Sequence, residues 1–249
     1  MEGNMKQSIF QIVSNKCIAD ITYEMVLKGD CSDITRPGQF VNLKLDGFFL
    51  RRPISVCDCQ GDLLTIIYKV VGHGTEVMAQ MQAGEEIDIL TGLGNGYDLS
   101  KSTDNPVLIG GGAGVPPMYL LAKELIKNGK KPSVVLGFNK KSEVFYEDEF
   151  KALGVETVVA TADGSYGVKG FVTDAMKALD YGYFFTCGPE PMLRAIYDNT
   201  TVSGQMSFEA RMGCGFGACM GCTCETLYGN KRICKDGPVL VKEEVKWAD

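Results

Sequence analysis

The change of pattern at Asp104-Asn105-Pro106 limits the fold more than any other feature of this sequence. Beyond it, strand-like segments at 107–110, 133–138, 156–161 and 183–187 alternate with helical stretches at 116–128, 147–153, 172–179 and 190–199. Such alternation marks a parallel sheet with helices on its faces. The first of these strands runs into Ile109-Gly110-Gly111-Gly112-Ala113-Gly114-Val115-Pro116-Pro117. A glycine loop between a strand and a helix is the context in which backbone N–H groups bind phosphate, and proline suits a first helical turn. The loop is not a strict G-x-G-x-x-G, because the last position falls on Val115 or on Pro117. No acidic residue comes just after the second strand, where Gly137-Phe138-Asn139-Lys140-Lys141 stands. Both departures disfavour a standard Rossmann dehydrogenase.

Before the change, from Ser8 to about Leu99, short β segments at 17–26, 39–45, 54–57, 63–71 and 86–90 are broken by Gly, Asp and Asn. They predict an antiparallel barrel, interrupted by one helix at 75–81. Arg52-Pro53-Ile54-Ser55 opens one barrel strand, and Gly72-His73-Gly74-Thr75 opens the helix. A flavin dinucleotide needs a cation for its pyrophosphate, N–H groups from a helix start and a small polar group at the ring edge. Arg52, Gly74-Thr75 and Ser55 are of the right kinds, although the same residues also suit a surface arginine and an ordinary helix cap.

A third region begins near Ser203 and holds five of the ten cysteines. Cys214, Cys219 and Cys222 have the C-x4-C-x2-C spacing of a plant-type [2Fe–2S] site. Gly215 and Gly217 leave room for a loop to wrap a cluster and aim N–H groups at it. A hairpin turning at Tyr228-Gly229-Asn230 would return Cys234 to Cys222 as the fourth ligand, with Cys224 as its competitor. Structural zinc favours two C-x2-C pairs or Cys/His sets, and His73 is the one histidine.

Composition sets the remaining bounds. With 249 residues, 45% of them apolar, the chain can bury an ordinary core. A net charge of −6 offers no footprint for nucleic acid or an anionic membrane. Without an 18-residue apolar run or signal-peptide features, a cytoplasmic location is expected, where cysteines serve as thiols or ligands. The expectation is an α+β multidomain protein: a β-barrel at 1–101, an α/β parallel-sheet domain at 102–202 and a [2Fe–2S] module at 203–249.

This order resembles, over nearly the whole chain, the ferredoxin–NADP reductase superfamily with an appended [2Fe–2S] domain. Within it the chain is most similar to the electron-transfer subunits of NAD-linked, heteromeric dihydroorotate dehydrogenases. The resemblance is carried by RPIS at 52–55, GHGT at 72–75, GGGAGVPP at 110–117, CGPEPM at 187–192 and, most specifically, SFEARMGCGFGACMGCTCE at 207–225. It implies that the β-barrel at 1–101 is FAD-binding and the domain at 102–202 NAD-binding, with FAD contacts from Arg52, Pro53, Ile54 and Ser55, from Ile67, Tyr68 and Lys69, and from Gly74 and Thr75. It implies a nicotinamide site lined by Gly111, Gly112, Gly114, Pro116, Gly188 and Pro189, with Cys187 as the catalytic residue near the ring. Cys214, Cys219, Cys222 and Cys234 would ligate the cluster.

The resemblance further implies a partner, an FMN-containing catalytic subunit that oxidises dihydroorotate, joined in a heterotetramer of pyrimidine biosynthesis. Electrons would pass singly through the cluster to FAD and leave as hydride to NAD⁺. The preference for NAD over NADP rests on the family, because Lys140 and Lys141 fall where some relatives bind a 2′-phosphate. His73 is expected to be structural and not a base. Two other readings compete: a small subunit of an NADPH–ferredoxin or sulfide-linked flavoenzyme, and a zinc-binding adaptor with a reductase-like shell.

Overall fold

The computed structural model describes residues 5–247; residues 1–4 and 248–249, the outer ends of the first and third expected domains, lie outside the described residues. Six strands close a barrel: β1 (Lys6–Ala19), β2 (Thr22–Lys28), β3 (Phe40–Lys44), β4 (Arg52–Gln60), β5 (Leu63–Lys69) and β6 (Glu86–Leu93). Their order is β1-β2-β5-β4-β3-β6, with every pairing antiparallel. Alternate side chains of a strand face opposite ways, so Val41, Leu43, Leu64, Ile66, Ile87 and Ile89 fill the interior. The outward-facing Phe40, Leu90 and Leu93 belong to a different core, one that also contains Cys222 and Cys234. This apolar outer wall is what seats the cysteine-rich region on the barrel.

The expected strand at 17–26 is two strands, because the chain turns at Asp20-Ile21. Ile21 has φ 47°, a conformation a β-branched residue rarely adopts, and no Gly or Pro announces the turn. The barrel's single helix, α1 (His73–Gln80), begins two residues before the expected start.

The second sheet has β7 (Pro106–Gly111), β8 (Ser133–Phe138), β9 (Glu156–Thr161), β10 (Val168–Lys169), β11 (Tyr183–Cys187) and β12 (Gly204–Ser207). A hairpin, β13 (Thr223–Thr226) and β14 (Gly229–Arg232), and then β15 (Val239–Val241) follow. The sheet order is β10-β9-β8-β7-β11-β12-β15, parallel throughout except for β15 on β12. The helices are α2 (Val115–Lys127), α3 (Glu147–Ala152), α4 (Val172–Met176) and α5 (Glu190–Asn199). Leu108 packs with α2 residues on one face of β7, and Val107 and Ile109 pack with residues of α4 and α5 on the other. Both faces are therefore buried, as a parallel sheet requires.

Residues after Ser203 are stitched into this framework. β12 and β15 extend the nucleotide sheet, and the cysteine loop emerges between them. Asn95, just beyond β6, fastens the return: its Nδ2 donates to the Val239 carbonyl (2.7 Å), and its Oδ1 accepts from the Val239 N–H (3.1 Å). On the other side, Lys123 of α2 pairs with Asp58 of β4 at 2.7 Å, tying the nucleotide sheet to the barrel. Among the described residues, no helix is long and apolar enough to cross a membrane.

Candidate functional site

The cysteine loop places its thiols in two pairs. Cys214 Sγ accepts backbone N–H groups from Phe216 (3.5 Å), Ala218 (3.2 Å) and Cys219 (3.4 Å). Burial alone would raise this thiol, but those donors and the Cys219 thiol beside it bring it down to about 6. The second pair is Cys222 and Cys234, whose sulfurs lie 3.2 Å apart. Burial, followed by the neighbouring Cys222 thiol, pushes Cys234 up to about 12. Two pairs of thiols, one of them wrapped in backbone N–H donors, suit a centre with two irons, because hydrogen bonds to the sulfurs are a main tuning element of such clusters. Among the described residues, no three His, Cys, Asp or Glu side chains gather in the manner that holds a single metal ion.

The loop's shape follows from its glycines and from Met220. Gly215, Gly217 and Met220 have φ of 80°, 89° and 61°. A Cβ on Gly217 would stand 2.7 Å from the Lys235 side chain, so glycine is needed there for conformation and for space. Arg232 Nη1 donates to the Gly217 carbonyl at 3.0 Å while its guanidinium pairs with Asp236. The β13–β14 hairpin returns the chain as expected, but it turns at Leu227-Tyr228, and Gly229 already opens β14. The Thr226 hydroxyl accounts for this position, donating to the Gly229 carbonyl and accepting the Tyr228 N–H. Cys224 sits on β13 opposite Lys231.

On the barrel, Arg52 crosses the N-terminus of α1 so closely that a Cβ on Gly74 would be 2.3 Å from its Nε. A glycine here lets a guanidinium share space with a helix start, a combination suited to pyrophosphate. Pro53, Ile54 and Ser55 continue β4 and are half-buried. Thr75 caps the helix: its hydroxyl accepts the N–H groups of Val71 and Gly72 and donates to the Gly72 carbonyl. Ile67 and Tyr68 face two different cores, and the Tyr68 hydroxyl is engaged by Asn15 at 2.9 Å. Their backbones are therefore what they can offer a flavin. His73 is exposed and pairs with Glu76 at 3.3 Å, so it is a surface residue.

A cleft of about 610 Å³ opens at the carboxyl ends of the sheet strands, lined by residues that include Gly111, Gly112, Asn139, Pro189, Met192 and Glu209. Close packing dictates its glycines. A Cβ on Gly111 would lie 2.4 Å from Met192 Sδ, and one on Gly114 would lie 2.1 Å from the Cys187 carbonyl oxygen. Pro116 is buried in the first turn of α2. Cys187 does not line the cleft but lies beneath it, 3% exposed. Burial, and then the charge of Glu209, push its thiol up to about 12.

Glu143, which sequence reasoning missed, also stands in the cleft, together with Lys69, expected only as a flavin contact. Lys69 of β5 pairs with Glu143 across the barrel–sheet boundary at 3.1 Å, and Asn139 Nδ2 donates to the same carboxylate at 3.1 Å. Glu143 sits in the segment after β8 where an acidic residue was sought, five residues beyond Phe138. Lys140 and Lys141 are outside the cleft: the first pairs with Asp20 at 2.8 Å, and the second lies over the Tyr166 ring.

Comparison with known proteins agrees with this architecture. Residues 108–198 match the oxidoreductase NAD-binding domain, and residues 209–246 match the iron-sulfur cluster binding domain of dihydroorotate dehydrogenase B. The dihydroorotate dehydrogenase B (NAD(+)) electron transfer subunit of Fusobacterium nucleatum is 45% identical, over 97% of this chain and 99% of its own length. The corresponding subunit of Bacillus pumilus is 46% identical over 97% and 98%. This chain belongs to the family of dihydroorotate dehydrogenase B electron transfer subunits. A chain of the NADH-dependent reduced ferredoxin-NADP oxidoreductase structure is 31% identical and superposes with a TM-score of 0.88 over 99% of this chain and 92% of its own. A ferredoxin NADP+ reductase from Neisseria gonorrhoeae, solved with bound FAD and NADP, shares the fold at 20% identity and a TM-score of 0.66, over 78% of this chain and 90% of its own. The family subunits resemble this chain more closely than either reductase structure does, which favours the dihydroorotate reading over the NADPH–ferredoxin one.

Proposed function

We propose that this chain accepts electrons from an FMN-containing, dihydroorotate-oxidising partner subunit and delivers them to NAD⁺. The observation that carries the reading is the seating of two thiol pairs on the outer wall of the barrel that holds Arg52–Ser55, with a dinucleotide cleft at the carboxyl ends of the adjoining sheet. FAD and a [2Fe–2S] cluster supply the conversion between single electrons and a two-electron hydride. Cys214, Cys219, Cys222 and Cys234 are the residues to hold the cluster. Arg52, Ser55, the backbones of Ile67–Lys69 and the start of α1 at Gly74 are those to hold FAD.

The nicotinamide nucleotide enters the cleft above Cys187, beside Gly111, Gly112 and Pro189. Cys187 is a neutral thiol buried beneath the cleft, so its role there is to support the floor under the ring and not to attack. NAD⁺ is favoured over NADP⁺ because Lys140 and Lys141 are engaged outside the cleft, while the carboxylate of Glu143 faces it. The exposure of Cys219 and the partial exposure of Cys214 suit a partner docking at the cluster module, and a heterotetramer is the proposed assembly.

The test is dihydroorotate:NAD⁺ activity measured for this chain, for the catalytic partner and for the mixture. Activity with NAD⁺ is expected only from the mixture. Turnover by this chain alone, or a full rate with a cluster-free Cys219→Ser variant, contradicts the proposed route.

A further inference from the structure

We infer that Asn42 is a positioning residue for the iron–sulfur centre, holding the first cluster cysteine of the proposed function against the strand paired with the one that carries the flavin residues. Asn42 lies on β3, where Val41 and Leu43 face the barrel interior and Phe40 and Asn42 face the cysteine loop. It is 1% exposed. Its Nδ2 donates to the carbonyl oxygen of Cys214 at 3.2 Å, a contact between residues 172 positions apart. From the loop side the fit is equally close: a Cβ on Gly215 would stand 2.3 Å from the same Nδ2.

Packing alone does not explain an amide at this place. Asn42 Oδ1 is buried with no hydrogen-bond partner among the described residues, and a buried, unsatisfied acceptor is unfavourable. Were the position only filling space beside Phe40 and Leu90, an apolar side chain would do so without that penalty. What the amide adds is one donor directed at Cys214. Its backbone is fixed as well. Pro53 of β4 stands directly opposite Asn42 and has no N–H to give the ladder. Arg51 Nη1 donates instead to the Asn42 carbonyl at 3.2 Å and is anchored on Asp88 Oδ1 at 3.0 Å.

The result is a short structural link. One strand pairing joins Pro53, inside Arg52–Ser55, to Asn42, and one hydrogen bond joins Asn42 to the residue whose sulfur is wrapped by three N–H groups. Residues in this outer position orient ligands, and hydrogen bonding and solvent access around a cluster set its potential. Asn42→Asp keeps the shape and offers only acceptors where a donor is needed; Asn42→Ser is smaller and neutral, and serves if the charged variant does not accumulate.

The experiment uses the full chain as purified, with iron and flavin quantified. Its readouts are the electron paramagnetic resonance spectrum of the reduced cluster, its midpoint potential and its rate of reduction by NADH in stopped flow. We expect wild-type flavin content and flavin reduction in the variants, a shifted cluster spectrum and cluster reduction slowed by about tenfold or more, the range typical of outer-shell substitutions. Unchanged spectrum, potential and rate overturn the inference, as does loss of flavin together with cluster, which would make Asn42 a general folding residue. A wild-type protein without a cluster signal would instead overturn the proposed function.

Discussion

Replacing Gly114 with alanine isolates the steric demand of the glycine loop. Gly114 has φ −86° and ψ −6°, a conformation alanine accepts, and in a helical turn alanine is favoured over glycine by about 1 kcal/mol. Against this, the added Cβ would lie 2.1 Å from the Cys187 oxygen, 2.3 Å from its carbonyl carbon and 2.6 Å from the Gly188 nitrogen. All three are backbone atoms at the end of β11, so no rotamer change relieves the overlap. Overpacking of this kind costs about 1–3 kcal/mol or more, and with an unyielding neighbour the upper figure applies. The net loss is then about 2 kcal/mol. Relief by displacing the 187–189 segment would transfer the same energy to the cleft floor, weakening NADH binding about thirtyfold. Gly112→Ala is the control, with φ 52° and its nearest neighbour the flexible Lys69 Nζ at 3.7 Å. It should carry only a left-handed backbone penalty of about 1–2 kcal/mol and leave Cys187 in place. Thermal unfolding and NADH titration of both variants provide the measurement. A Gly114→Ala protein with wild-type NADH affinity and stability would refute the reasoning.

Cys214→Ser and Cys234→Ser should each abolish the visible iron–sulfur spectrum while flavin stays bound, and Cys224→Ser should keep it; the reverse pattern would discredit Cys234 as a ligand. Flavin released by denaturation should chromatograph as FAD, and Arg52→Ala should weaken its retention by about 1.5–3 kcal/mol; FMN in the wild-type extract would contradict the pyrophosphate site. Because the Cys187 thiol is raised in the fold to about 12, its contribution to stability is present below the unfolded thiol value of about 8.5 and is lost as pH climbs toward the folded value. Alkylation near pH 8 should label exposed Cys17 and spare Cys187, which peptide mass spectrometry will show; rapid modification of Cys187 in the native protein would argue against its burial.

What the sequence disclosed depended on how local each signal was. The glycine loop at 110–117 and the pairing of Cys222 with Cys234 were readable because strand, turn and spacing lie within a few dozen residues. The Asp20-Ile21 turn was not, since an isoleucine in the left-handed region is imposed by barrel closure and not by its own preference. β12 and β15 were missed for a related reason: strands of four and three residues carry too little alternation to be recognised, and their partners are distant. Glu143 and Asn42 were silent because each acquires its role from a contact across a domain boundary, with Lys69 and with Cys214.

The antiparallel β15 strand does more than complete a sheet. Without it, β12 would be the rim of a parallel sheet, its row of N–H and C=O groups open to any extended peptide, and such rims nucleate aggregation. The segment that shields this rim lies beyond Cys234, the last ligand of the proposed cluster site, so a protein interrupted anywhere in the cysteine loop would lose its shield along with that site. Solubility and electron relay thus draw on one C-terminal segment, and a truncation there forfeits both, whereas a point change at a cysteine can cost the relay alone.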